Sequence, residues 1–166
     1  MKFLFVTINY APDFIGIPKY NAELAEWLVE KGHVVTVITT VPYYPEWEVK
    51  HGYKSWCWTT ELLNGVKVVR VPTWIPKVPS GLSRLFHLAS FGAASFLSAI
   101  WHAFRLRPDV VVGIEPTLSA VPSVLASAAL GQSKSWLHVQ DFEVAAALAL
   151  GMVKQGLIGK IAIKVD

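Results

Sequence analysis

The side chains best placed to do chemistry fall in two short stretches. The first is Asn9-Tyr10-Ala11-Pro12-Asp13-Phe14-Ile15-Gly16-Ile17-Pro18-Lys19-Tyr20. It follows an apolar run and leads into a helical pattern, where free N–H groups at a helix start hold phosphate. Gly16 lets a backbone approach an anion closely. The three-glycine dinucleotide fingerprint is absent, and a single glycine before a helix also serves as a plain turn residue, so both readings stay open. The second stretch is Trp136-Leu137-His138-Val139-Gln140-Asp141-Phe142-Glu143. His138 ends an apolar run, on the edge where open α/β sheets bind ligands. Asp141 and Glu143 follow it. Asp141 equally suits a helix cap, Glu143 suits the helix dipole, and His138 suits a satisfied interior histidine.

Three further segments carry weaker signals. Glu115 points from the same ligand edge, but Pro116 and Thr117 make a helix-entry turn the simpler reading. The segment Leu82 to Leu106 is almost uncharged between Leu85 and Trp101, apart from His87. Its length tempts a membrane-spanning reading. His87, His102, the flanking Arg84 and Arg105, and the interspersed serines argue instead for a helix packed on a sheet with its outer face touching lipid. An ordinary buried helix is the alternative. The aromatic loop from Tyr43-Tyr44-Pro45-Glu46-Trp47 through Tyr53, Trp56 and Trp58 suits sugar stacking, a membrane interface or a local mini-core. No nucleophile elbow, zinc-spaced histidine pair or phosphate-loop lysine occurs, and no metal site or cofactor is expected.

The elements that must position these residues follow from periodicity. Lys2 to Thr7 is a buried strand. Tyr20, Leu24, Trp27 and Leu28 recur at helical spacing up to about Lys31, and Gly32 follows as the left-handed cap. His33 to Thr39 is a β-branched strand. Strand, helix and strand make a right-handed βαβ unit. Residues 40 to 64 read as irregular. Val66 to Val71 and Asp109 to Ile114 are strands, separated by the Leu82 to Leu106 helix, which Pro108 ends. Thr117 to Leu130 is a small-residue helix closed by Gly131, Ser135 to Val139 a strand, and Glu143 to Leu150 a helix. The tail from Lys154 looks helical and breaks off without a polar terminator, as expected of a fragment of a longer protein. This alternation predicts a doubly wound, mostly parallel Rossmann-like sheet flanked by helices.

Composition narrows the function classes. The 166 residues are 53% hydrophobic and only 16% charged, with net charge +3. No run of five basic residues occurs, which excludes the electrostatic footprint of a nucleic-acid binder. The single cysteine, Cys57, rules out an internal disulfide and fits a reducing compartment. The start, Met1-Lys2-Phe3-Leu4-Phe5-Val6, lacks the features of a signal peptide.

Several strings resemble family-4 retaining glycosyltransferases. They are Gly16-Ile17-Pro18-Lys19-Tyr20, Ala25-Glu26-Trp27-Leu28 and Lys31-Gly32-His33-Val34-Val35-Thr36-Val37. Pro42-Tyr43-Tyr44-Pro45, Arg107-Pro108-Asp109-Val110-Val111 and, above all, Leu137-His138-Val139-Gln140-Asp141-Phe142-Glu143 resemble members of the colanic-acid, exopolysaccharide-building type. The resemblance covers essentially the whole chain. It implies a GT-B enzyme, in which residues 1–166 form the Rossmann-like, acceptor-side N-terminal domain. The donor-binding C-terminal domain is absent from this chain, so the fragment alone is expected to be inactive.

The resemblance implies transfer of a sugar from a nucleotide-sugar to a lipid-linked acceptor. It places His138 near the donor sugar as the catalytic residue. Gly16 and Ile17 would approach the donor phosphates, with Lys19, Tyr20, Glu115, Asp141 and Glu143 in the substrate site. Together with the apolar Leu82 to Leu106 segment, this predicts a cytoplasmic enzyme, peripheral on the inner face of the cell membrane through that segment. The loop departs from the family pattern where Ile17 and Pro18 replace a second glycine, and Pro18 has no N–H to offer a phosphate. Ala145 and Ala149 stand where relatives carry acids. A non-catalytic membrane-associating subunit is the first alternative. An oxidoreductase domain is the second, disfavoured because Thr39-Thr40 stands where an acid would hold a ribose.

Overall fold

The computed structural model describes residues 1–114 and 118–140. The elements run β1 (Lys2–Val6), α1 (Ile17–Glu30), β2 (Val34–Thr39), β3 (Thr59–Leu63), β4 (Val66–Arg70), α2 (Gly81–Leu106), β5 (Val110–Ile114), a 3-10 turn (Leu118–Ala120), α3 (Val121–Gly131) and β6 (Lys134–His138). They form a six-stranded sheet of order β3-β4-β2-β1-β5-β6. Every pairing is parallel except β3 with β4. This is the doubly wound, Rossmann-like α/β architecture. The chain winds outward from β1 through β2 to β4, then returns to build β5 and β6 on the other side. The order therefore reverses between β1 and β5, and the crevice outside their carboxyl ends is where such sheets bind ligands.

Alternation along each strand feeds two cores. Phe3, Phe5, Val35, Val37, Val66, Val68, Val112 and Ile114 face α1, packing on Ala22, Ala25 and Leu28. Leu4, Val6, Ile38, Val69 and Val111 face α2 and α3, packing on Phe91, Ala94, Ala99, Val124 and Ala128. Small residues let α2, α3 and the sheet close up. A side chain at Gly113 would meet Val124 at 2.9 Å, and one at Gly92 would meet the Ser119 carbonyl at 2.9 Å.

Four boundaries depart from the sequence reading. The stretch read as irregular contains β3, joined to β4 by Asn64-Gly65 with φ of 49° and 82°. That is a two-residue turn of the type whose twist matches paired strands. Helix α1 begins at Ile17 rather than near Tyr20, because Pro18 fits its first turn. Helix α3 begins at Val121, after the 3-10 turn, rather than at Thr117. Gly131 is its last helical residue, and Gln132 takes the left-handed position with φ 53°. Gly131 is needed for close approach, since a side chain there would meet the Ser133 hydroxyl at 2.7 Å. The cap at Gly32 stands as read: its N–H donates to Val29 and that of His33 to Leu28, at 2.9 and 3.0 Å. The helix expected at 143–150 and the tail lie outside the described residues. Among the described residues, no helix is long and apolar enough to cross a membrane.

Candidate functional site

The carboxyl-end rim is assembled by buried polar side chains that the strands deliver to it. Arg70, the last residue of β4, is only 1% exposed. Its guanidinium donates to the Thr40 carbonyl at 2.8 Å, the Ala11 carbonyl at 2.6 Å and the Glu61 carboxylate, and lies over the Tyr53 ring. One planar fork thus ties the ends of β1 and β2 to β3, a geometry lysine cannot reproduce. Asp13 is also buried. Its Oδ2 accepts from the Tyr43 and Tyr44 N–H groups at 3.3 and 3.2 Å, and its Oδ1 lies 2.7 Å from Lys50 Nζ. The loop after β1 is thereby fixed to the aromatic segment.

The aromatic segment is itself held by α2. His87 is buried, with Nδ1 donating to the Trp74 carbonyl at 2.7 Å. Its Nε2 therefore accepts from the Tyr43 hydroxyl at 2.9 Å. Tyr43, Trp47 and His87 pack edge to face. Burial lowers the His87 pKa from its ordinary value, opposed by the hydrogen bond to Trp74. Burial also pushes the Tyr43 phenol up, countered in part by Asn9. His87 is thus a satisfied core histidine, and part of the aromatic loop forms a mini-core. Trp56 and Trp58 remain exposed.

The link across the topological switch runs through Asn21 in α1. This fully buried amide donates to Thr7 Oγ1 at 3.1 Å and accepts from Gln140 Nε2 at 2.7 Å. Gln140 follows His138 by two residues, so the end of β6 is moored against the start of α1. Between them lies a hollow of about 510 Å³, lined by Gly16, Ile17, Tyr20, Leu24, His138 and Gln140. Gly16 has φ 70° and ψ −128°, a region open to glycine, and no side chain caps the helix it begins. No acid occupies the first turn. The positive end of α1 therefore meets the hollow uncompensated, which suits an anion. Tyr20 adds an exposed aromatic face.

The structure brings Gly16, Ile17, Tyr20 and His138 together on this hollow. Lys19 does not line it; its ammonium points to Glu23 at 3.8 Å along the exposed side of α1. Glu115, Asp141 and Glu143 lie outside the described residues. Of the residues that hold the rim, Asp13 lies within the first stretch read from the sequence, whereas Asn21 and Arg70 lie outside both. A buried-side asparagine one turn into a helix, and an arginine ending a valine-rich strand, were the available signals. Among the described residues, no group of three His, Cys, Asp or Glu side chains could hold a metal.

A reversing parallel sheet, with one wall of a crevice at its carboxyl rim, defines a Rossmann-like domain of the kind that forms half of a GT-B fold. The chain belongs to the glycosyl transferase 4-like domain family, whose pattern it matches over residues 16–159. It is similar to a protein of Escherichia coli (strain K12) whose name gives it as a colanic acid biosynthesis glycosyl transferase, WcaI. The two are 43% identical over 162 residues, which is 98% of this chain and 39% of that relative.

Proposed function

We propose that this chain is the acceptor-side half of a retaining glycosyltransferase that moves a sugar from a nucleotide-sugar to a lipid-linked acceptor in exopolysaccharide synthesis. The observation that carries the reading is the shared hollow of Gly16, Ile17, Tyr20 and His138, fixed by the hydrogen bond from Gln140 to Asn21. In this reading the uncapped start of α1 faces the departing diphosphate, whose charge develops as the glycosidic bond breaks. His138 lies against the transferring sugar, and Tyr20 and Leu24 offer an amphipathic floor. By the family resemblance Glu115, Asp141 and Glu143 take part in substrate binding, and Lys19 serves from the outer edge of the hollow. The diphosphate's principal ligands come from a second domain, which fits the share of the longer relative that this chain matches.

The same reading places the protein peripherally on the cytoplasmic face of the membrane. Helix α2 carries Leu85, Phe86, Leu97, Trp101 and Phe104 exposed along one side, and no acid anywhere in its length. An apolar side of this kind suits the membrane interface, and it would bring a lipid-linked acceptor to the rim.

Titration of UDP- and GDP-sugars onto the 166-residue chain tests the division of labour. The reading expects dissociation constants of about 1 mM or weaker, since a helix end whose hollow is lined by no lysine or arginine supplies only a modest part of diphosphate affinity. Low-micromolar binding by this half alone would contradict it.

A further inference from the structure

The opposite, amino-end rim of the sheet carries a second hollow that shares no lining residue with the one at Gly16 and His138. It measures about 370 Å³ and lies where the last turn of α2 passes over the starts of β2 and β4. His33, Thr36, Lys67, His102 and Arg105 line it, and no lining residue is acidic. Neither Lys67 nor Arg105 forms an ion pair among the described residues. His102 Nδ1 donates to the Ser98 carbonyl at 2.8 Å, which leaves Nε2 without a protein partner among the described residues. Burial, and then the nearby Lys67, keep this imidazole below its ordinary pKa. Like charges gathered around one hollow repel, and an anion between them would remove that cost.

The hollow adjoins the apolar side of α2. The Arg105 guanidinium lies 5.4 Å from the centre of the exposed Trp101 ring, so one residue borders both features. A 26-residue helix extends about 39 Å, and its exposed side runs unbroken by acid from Leu85 to Phe104. We infer that the hollow receives the phosphate of an anionic phospholipid headgroup while the exposed side of α2 lies among the acyl chains. The inference rests on the membrane contact proposed above and adds a specific headgroup site to it. A lipid fits better than free phosphate because the basic hollow opens beside the apolar stripe rather than in polar surroundings.

Flotation of the full chain with vesicles tests this. The probes are phosphatidylcholine alone and phosphatidylcholine with one part in three phosphatidylglycerol. Wild type should float with both and partition about tenfold more strongly onto the anionic vesicles. Lys67 is exposed and lies off the α2 stripe, so Lys67→Gln should cut that anionic preference about fivefold, leave neutral-vesicle binding intact, and be rescued by Lys67→Arg. Equal partition of wild type onto both vesicles would overturn the headgroup site and leave membrane contact standing. An unchanged anionic preference in Lys67→Gln would do the same. Flotation with neither would overturn both. Millimolar inorganic phosphate that shifts the His33 and His102 ring signals of a chain that does not float would assign the hollow to soluble phosphate, against the lipid.

Discussion

Arg70 illustrates how single side chains hold the carboxyl-end rim together from within the fold. Its donors are spread over the Thr40 and Ala11 carbonyls and the Glu61 carboxylate, so truncation strands acceptors at the ends of two parallel strands. Glu61 is about a third exposed and recovers some hydration. Arg70→Ala should therefore cost about 3 kcal/mol in chemical denaturation, with Arg70→Lys recovering little because an ammonium cannot fork. Asn21 works similarly on the other side of the crevice. Asn21→Ala should cost about 1–2 kcal/mol and speed amide exchange at Val139 and Gln140, where the mooring is lost. Exchange unchanged there would show that β6 is held by something else. Neither residue advertised itself in the sequence. A lone arginine after valines looks like a solvated strand end, and only the three-dimensional convergence of carbonyls reveals its burial. Gly16 and His138 were legible because their places, before a helix and at a strand end, are fixed by local pattern alone.

At the scale of elements, the βαβ opening and the strands at Val66 and Val110 could be read from β-branched runs and from Gly32. Strand β3 could not be read that way, because Thr59 to Leu63 has little apolar alternation and is half exposed at the sheet edge. Its one local signal was the Asn64-Gly65 pair. That turn yields a sharp prediction. Gly65 and Gly52 have similar φ of 82° and 89°, but a side chain at Gly65 would meet Val29 at 2.8 Å while nothing lies near Gly52. Alanine at each position pays about 1–2 kcal/mol of left-handed strain, and Gly65→Ala should lose a further increment of about 1 kcal/mol from the contact. Equal thermal shifts for the two variants would contradict this packing of α1 on the hairpin.

Helix α2 makes stability depend on pH through His87 and His102. Burial lowers both pKa values from the ordinary 6.5, so the folded state favours the neutral rings. Above about pH 6.5 their contribution is complete. As the pH falls through the lower folded values, unfolding takes up protons and that contribution is lost. The midpoint of unfolding should thus drop as the pH is lowered from 7 to 5. His87→Gln should flatten the slope while lowering stability at pH 7, because the tie between Trp74 and Tyr43 is broken.

For the whole molecule, the sheet order reverses between β1 and β5, which sets the loop at Gly16 and the rim at His138 on one crevice, and the proposed function rests on that crevice. The longer relative supplies the means to observe it at work. Residues 1–166 would replace the aligned region of the Escherichia coli protein, and cells lacking that protein would be scored for colanic acid. In the purified chimera, kcat/KM would be compared for Tyr20→Ala, His138→Ala and the pair. If both side chains border one bound sugar, each change should lower kcat/KM about tenfold or more, and the double change should fall short of the product of the singles. Wild-type rates in both single variants of an active chimera would contradict the crevice as the seat of transfer.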